Sequence, residues 1–222
     1  MNTSFRPPPP RHAPVLLWIV GVCAFLEGIF TLFSTPFMDL PPLRDVAMMY
    51  GAFWPRLLTD WSPVFQGQNI SMFVTYAFLH GGFLHMLFNM LILLHLGRET
   101  VIRLGPKGFL LAFVITSAFG AGTYALLATS AAPMLGASGA VFGLFGTTLY
   151  WDFQRRRHLG ASLEPVWRTL IGLAVMNVVL FFLVDGMLAW QAHLGGFLAG
   201  LALARVVTPT VSHGYRPSLR NP

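Results

Sequence analysis

The sequence predicts an all-α polytopic membrane protein with six transmembrane helices and a long interfacial loop after the first. The chain has 222 residues with only 10% charged residues and a mean hydropathy of +0.64, whereas soluble domains carry roughly 25% charged residues. Six apolar segments are long enough to cross a bilayer, and basic residues cluster in alternate connections between them. These observations place most of the chain in lipid.

Each span needs about 20 mostly apolar residues to cross a hydrocarbon core of about 30 Å. The predicted spans occupy residues 13–33, 72–97, 108–129, 138–154, 166–184 and 189–208. They form one predicted helical domain over residues 13–208, with tails over residues 1–12 and 209–222.

Charge in the connections predicts the orientation of the spans. Arginine and lysine cluster in residues 98–107 and 155–168, whereas residues 130–137 carry no charge. The positive-inside rule therefore places those two basic connections, and both termini, in the cytoplasm. Six spans agree with termini on the same side.

The segment over residues 34–71 is too long for a plain connection. Its aromatic and methionine side chains make it amphipathic, so we expect it to lie in the membrane interface, with these residues as anchors. The anchors are Phe37, Met48, Met49, Phe53, Trp54, Trp61 and Phe65.

Composition disfavours both a nucleic-acid partner and a disulfide framework. The formal net charge is +6, but the basic residues form short clusters between spans rather than one continuous face, so no nucleic-acid partner is expected. The single cysteine, Cys23, cannot form a disulfide within the chain and is expected to be a small core residue.

Polar side chains inside spans are costly and mark candidate functional residues. His85 and Asn89 are four residues apart, so both can point into one cavity. His95 lies on another face and is expected to be structural or interfacial. Glu27 and Asn177 are expected to form hydrogen bonds between helices, although the sequence names no partner for either.

Ser138 stands between glycines in the run Gly136, Ala137, Ser138, Gly139 at a loop-to-helix junction. Glycines there permit a tight turn, and the serine N–H belongs to the first helical turn, where negative charge is favoured. Two simpler interpretations remain: Gly139 and Gly143 as a packing face, and Ser138 as an N-cap.

The last span places His193, Gly196 and Gly200 on one helix face. If this groove packs on the Gly139/Gly143 face, the imidazole reaches the Ser138 hydroxyl. Counted from the expected cytoplasmic ends of their spans, His85, Asn89, Ser138 and His193 stand at similar heights, roughly 21–27 Å.

Three separated segments resemble the motifs of the rhomboid family of intramembrane serine proteases. His80, His85 and Asn89 match its second-helix histidine pattern, Gly136 to Gly139 matches its nucleophile motif, and residues 192–196 with Gly200 match its sixth-helix signature. With the six-span layout, the resemblance covers residues 13–208 and indicates a rhomboid-like bundle.

The resemblance implies a catalytic dyad of Ser138 and His193, with His85, Asn89 and the Ser138 N–H in the oxyanion hole. Phe142 occupies the place of an aromatic ring stacked on the catalytic imidazole. The residues expected to support the site by packing are Gly136, Gly139, Phe142, Gly143, Gly196, Gly200 and His80.

The expected activity is hydrolysis of a peptide bond in or near the transmembrane segment of single-span membrane proteins. Such substrates must unwind locally, so helix-weakening residues are expected in them, and no cofactor or metal is needed. The bilayer is the other expected partner. The expected location is a bacterial inner membrane, with the site opening to the extracytoplasmic side.

Two departures from the family pattern concern anchoring. Ser71 and Met72 stand where the family often has a Trp-Arg pair, and Glu99 lies two positions before the usual glutamate, where Val101 stands. Three alternatives remain open: a catalytically silent relative that binds membrane proteins, a haem or metal protein, and a small transporter. The histidine spacings match no haem or zinc motif.

Overall fold

The structure is a computed structural model that describes residues 13–33 and 43–207. Both predicted tails, and residues 34–42 with Phe37, lie outside the described residues. The described chain forms an all-α bundle with two short 3-10 turns, Pro55–Leu58 and Tyr76–Phe78. Its helices are α1 Pro14–Phe33, α2 Leu43–Gly51, α3 Gln68–Thr75, α4 Phe83–Leu127, α5 Ser138–His158, α6 Glu164–Leu183 and α7 Trp190–Val206.

Helix α4 is two helices joined at a break. Its 45 residues would extend about 68 Å at 1.5 Å per residue, more than twice the thickness of a hydrocarbon core. Gly105 has a φ of 72° and a ψ of 172°, and Pro106 follows it. The break lies in the basic connection between the second and third predicted spans, so the two arms correspond to those spans.

The predicted second span, residues 72–97, is wrong at its start. Residues 72–75 belong to α3, the 3-10 turn follows, and the helix begins only at Phe83. Gly82 has a φ of 155°, which interrupts the helix before Phe83. The apolar run 72–79 is therefore not part of this helix, and four of its side chains, Met72, Tyr76, Ala77 and Leu79, are buried.

Within the described residues, three helices, α1, α4 and α6, are long and apolar enough to cross a membrane. Helix α5 ends in a basic turn of Arg155, Arg156 and Arg157, and α7 has 17 residues. Much of α5 and α7 is buried among other helices, so apolar lipid-facing residues are fewer there. The chain is therefore an integral membrane protein. Its two central helices, α5 and α7, are identified by their burial among the other helices, because their hydropathy and length alone do not mark them as spans.

The described residues between α1 and α4, residues 43–82, fold into short helices and turns that lie against the bundle. Trp54 packs on Trp61 with ring centroids 5.4 Å apart, and Tyr50 stacks on Phe65. Phe53 differs from the expectation of an interface anchor, because it is fully buried against Phe73 and Tyr76. It belongs to the core.

Helix α5 lies at the centre and packs most extensively on α7 and α4. A Cβ atom at Gly196 would lie 1.9 Å from the Gly139 carbonyl oxygen, and one at Gly200 would lie 1.9 Å from the Gly143 carbonyl oxygen. Only glycine permits two helix backbones to approach this closely. The α5–α7 contact is therefore made largely of backbone.

Glu27 on α1 has a partner that the sequence did not identify. Arg44 on α2 donates to both of its carboxylate oxygens, at 2.9 and 2.8 Å, and the Glu27 side chain is 2% exposed. Arg44 also donates to the carbonyl of His80 at 2.5 Å. This bidentate pair joins α1, α2 and the loop before α4.

We predict that Gly200→Ala destabilises the bundle by about 2–3 kcal/mol, because the added methyl group would press on the Gly143 backbone and separate α5 from α7. Thermal unfolding in detergent, followed by circular dichroism, measures this. The control is Gly122→Ala, since a Cβ atom there meets nothing within 4 Å. Equal midpoints for the two variants would contradict the close packing of these helices.

We also predict that Glu27→Leu lowers the free energy of unfolding by about 3 kcal/mol, because Arg44 keeps its charge without its buried partner. The double variant Glu27→Leu/Arg44→Leu should recover part of this loss. Glu164→Ala, which removes the exposed pair with Arg168, should cost less than about 1 kcal/mol. Additive losses in the double variant would show that the two side chains are not coupled.

Candidate functional site

Ser138 is the first residue of α5, and Ala137 occupies the N-cap position. The N-cap interpretation of Ser138 is therefore wrong. Gly136 has a φ of 118°, which favours glycine, and the chain turns there into the helix. The N–H groups of the first helical turn have no acceptor within the helix, so the start of α5 presents donors beside the serine hydroxyl.

Two backbone contacts hold the loop that precedes Ser138. Phe53 and Met134 exchange a pair of hydrogen bonds of 2.9 Å, and the Gly136 N–H donates to the Tyr76 carbonyl at 3.0 Å. The Tyr76 hydroxyl in turn donates to the Ser117 carbonyl on α4 at 2.9 Å. The loop is thus attached to both the interfacial segment and α4.

His193 on α7 is stacked on Phe142 of α5. The ring centroids are 4.1 Å apart and the planes differ by 7°, while His193 is 5% exposed. Phe142 follows Ser138 by one helical turn. The flat contact holds the imidazole plane parallel to the aromatic ring beside the serine turn.

The backbones next to Ser138 and His193 are also in contact. Gly139 lies against Gly196, and a Cβ atom at Gly139 would be 3.7 Å from the Ala192 carbonyl oxygen. No hydrogen bond joins the Ser138 hydroxyl to His193 among the hydrogen bonds of the described residues. In enzymes without substrate, the bond between nucleophile and base is often long and closes on substrate binding.

His85 lies beside the same loop. Its Nδ1 accepts from the Gly81 N–H at 3.4 Å, so in the neutral imidazole Nε2 carries the proton. A Cβ atom at Gly136 would be 2.7 Å from that Nε2 atom. The Nε2–H donor of His85 therefore lies next to Gly136, which is two residues before Ser138.

Asn89 is buried one turn further along α4. Its Nδ2 donates to the His85 carbonyl at 2.9 Å, which uses one of its two amide hydrogens. The other hydrogen is available to a ligand. His85 and Asn89 thus lie on one helix face, as their spacing indicates.

His80 is a buried residue of the loop before α4, not of a helix. Its ring packs edge-on against His85 with centroids 5.1 Å apart. Its Nε2 lies 3.4 Å from the Ala137 N–H, which donates to it. His80 therefore connects the His85 loop to the loop before Ser138.

Asn177 on α6 contacts His193 directly. Its Oδ1 lies 2.6 Å from Nδ1 of His193, and its Nδ2 donates to the Leu173 carbonyl at 2.9 Å. The expectation of a hydrogen bond between helices is met, with the imidazole as the partner. The sequence marked Asn177 as a polar residue in an apolar span, but gave no sign of which helix it faces.

Two further residues near the site were not singled out by the sequence. Tyr76 belongs to no motif and lies within the second predicted span, and nothing in the sequence distinguishes Arg44 from other cations of the loop after the first span. The signal in the sequence for Arg44 is Glu27, because a carboxylate within an apolar helix needs a cation to pair with. His95, by contrast, is exposed and lies apart from the site.

Comparison with known proteins identifies the family. The family model for the rhomboid domain matches residues 67–210. The chain is 30% identical over 201 residues to the putative rhomboid protease YdcA of Bacillus subtilis, covering 87% of this chain and 88% of the relative. It is 30% identical over 243 residues to RHOMBOID-like protein 5 of Arabidopsis thaliana, covering 95% and 74%.

A further relative is longer than this chain. Rhomboid-like protease 3 of Toxoplasma gondii is 29% identical over 172 residues, which cover 73% of this chain but 58% of the relative. The matched region contains the serine turn, the α4 histidines and α7. With a family model that spans more than half of its length, the chain belongs to the rhomboid family.

Proposed function

We propose that this chain is an intramembrane serine endopeptidase that uses Ser138 as nucleophile and His193 as general base. The observation that carries the proposal is the stacking of His193 on Phe142, one turn after Ser138, where the Gly139 and Gly196 backbones touch. Family membership and relatives named as proteases support the same activity.

In the proposed reaction, Nε2 of His193 takes the Ser138 proton while Oγ bonds to the scissile carbonyl carbon. The carbonyl oxygen becomes an oxyanion, which the Ser138 N–H, the His85 Nε2–H and the free hydrogen of Asn89 Nδ2 stabilise. When the C–N bond breaks, His193 returns its proton to the leaving amine. Water then attacks the acyl-enzyme, again with His193 as base, and restores Ser138.

The proposed substrates are single-span membrane proteins with helix-weakening residues near the cleaved bond. A helical substrate has its carbonyls hydrogen-bonded within the helix, so it must unwind before it can meet the serine. The proposed setting is a bacterial inner membrane with both termini cytoplasmic. Because water is consumed, the site must open to an aqueous surface. The basic connections that the positive-inside rule assigns to the cytoplasm support the opposite, extracytoplasmic surface for the loops before α4 and α5.

We predict that Ser138→Ala and His193→Ala each lower the cleavage of a model single-span substrate by at least about 1000-fold. A fluorophosphonate should label the wild type but not Ser138→Ala. The assay uses purified proteins in liposomes, after thermal unfolding has shown that the variants are folded. Equal cleavage by all three proteins would refute the dyad, and client binding without any cleavage would favour the silent relative.

We predict that Phe142→Leu lowers kcat by about 3- to 10-fold, because the imidazole loses the aromatic face that holds its plane. Phe142→Tyr keeps that face and should retain wild-type kcat within about twofold. The control is Phe113→Leu, which trims a buried α4 ring that packs on Phe78 and Phe109. If the control lowers kcat as much, the effect is a general loss of packing.

A further inference from the structure

Asn177 is a polar side chain within the apolar part of α6. Most residues of this helix are exposed on the surface of the bundle. Of the 20 residues of α6, two are buried, Val166 and Leu173. Asn177 itself is half-buried, on the side of α6 that faces α7. A carboxamide on a lipid-facing helix requires a specific partner, because both of its polar ends are costly to leave unpaired.

The two hydrogen bonds of Asn177 determine which end of the carboxamide faces His193. The end bonded to the Leu173 carbonyl must be the NH2 group, since a carbonyl oxygen only accepts. The end that faces His193 is therefore the oxygen, which also only accepts. It follows that Nδ1 of His193 carries a proton and is the donor across 2.6 Å.

The tautomer of His193 follows from this bond. A neutral imidazole has one protonated nitrogen, so a proton on Nδ1 leaves Nε2, on the opposite edge of the ring, with a free lone pair. A general base must present such a lone pair to the serine proton. The stacked Phe142 ring holds the plane of the imidazole, but it does not distinguish the two nitrogens.

We propose that Asn177 is a positioning residue that holds His193 as the Nδ1–H tautomer and so keeps Nε2 unprotonated. This rests on the proposed function of His193 as general base. The site then has a serine, a histidine and an uncharged acceptor from a third helix. Asn177 acts through His193 and does not touch the substrate.

The direct test is nitrogen NMR of the imidazole in protein labelled with ¹⁵N-histidine, at pH 7.5. The chain has seven histidines, so the His193 signals are assigned by comparison with His193→Ala. In the wild type, Nδ1 should be protonated and Nε2 unprotonated, and in Asn177→Leu the two tautomers should mix. An Nε2–H tautomer in the wild type would overturn the proposal without any variant.

The kinetic test compares three variants on the model substrate. Asn177→Leu, which removes the acceptor at similar size, should lower kcat about 10- to 100-fold with KM within about twofold. Asn177→Asp keeps an oxygen acceptor and should retain kcat within about threefold. The matched control is Val178→Ala, a change at an exposed neighbour on the same helix, which should alter neither kcat nor the tautomer.

The outcomes separate this proposal from the proposed function. Unchanged kcat and an unchanged tautomer in Asn177→Leu would overturn the positioning role even if Ser138 and His193 prove essential. A wild type that cleaves nothing would refute the protease, whereas the tautomer measured in the same protein would still decide whether Asn177 orients His193.

Discussion

The structure depends on the close approach of the α5 and α7 backbones. At two successive levels a glycine of α7 lies so near a carbonyl of α5 that even a methyl group would not fit, at Gly196 against Gly139 and at Gly200 against Gly143. Without a strong hydrophobic force between helices in lipid, such backbone contact is a main source of association. Because Ser138 precedes Gly139 by one residue and His193 precedes Gly196 by three, the same contact sets the spacing between the serine turn and the imidazole.

The loops of the site are held from outside the two central helices. The Phe53–Met134 hydrogen bonds attach the loop before Ser138 to the interfacial segment, and the His80 carbonyl is held by Arg44. Arg44 is in turn neutralised by Glu27 on α1. The first helix thus supports the site at a distance, through an ion pair in a medium where an unpaired charge is costly. This arrangement connects the segment between α1 and α4 to the candidate site, in addition to the anchoring at the membrane surface that the sequence predicts.

An uncharged partner for the imidazole suits a site inside a membrane. A carboxylate in that place would stabilise an imidazolium more strongly, but it would also bring a second charge into a poorly solvated region. An amide oxygen can hold the proposed tautomer at a lower desolvation cost. The bond also links α6, which is buried at few positions, to α7, so the orientation of His193 depends on α6 remaining docked.

The sequence by itself determined the helical class, the order of the long helices and several residues of the candidate site, among them Ser138, His193, His85 and Asn89. Long apolar runs in lipid satisfy their backbone groups as helices, and the spacing of Gly136 to Gly143 and of His193 to Gly200 specifies which helix faces carry the glycines. Only the tertiary structure decided where the second span begins, that Phe53 is buried, and which residues pair with Glu27 and Asn177. Those partners lie 17 and 16 residues away in the chain, on other helices. Residue periodicity describes one helix at a time. Which side chains meet between two helices depends on the distance and rotation between those helices, and these are fixed only when all the helices pack together.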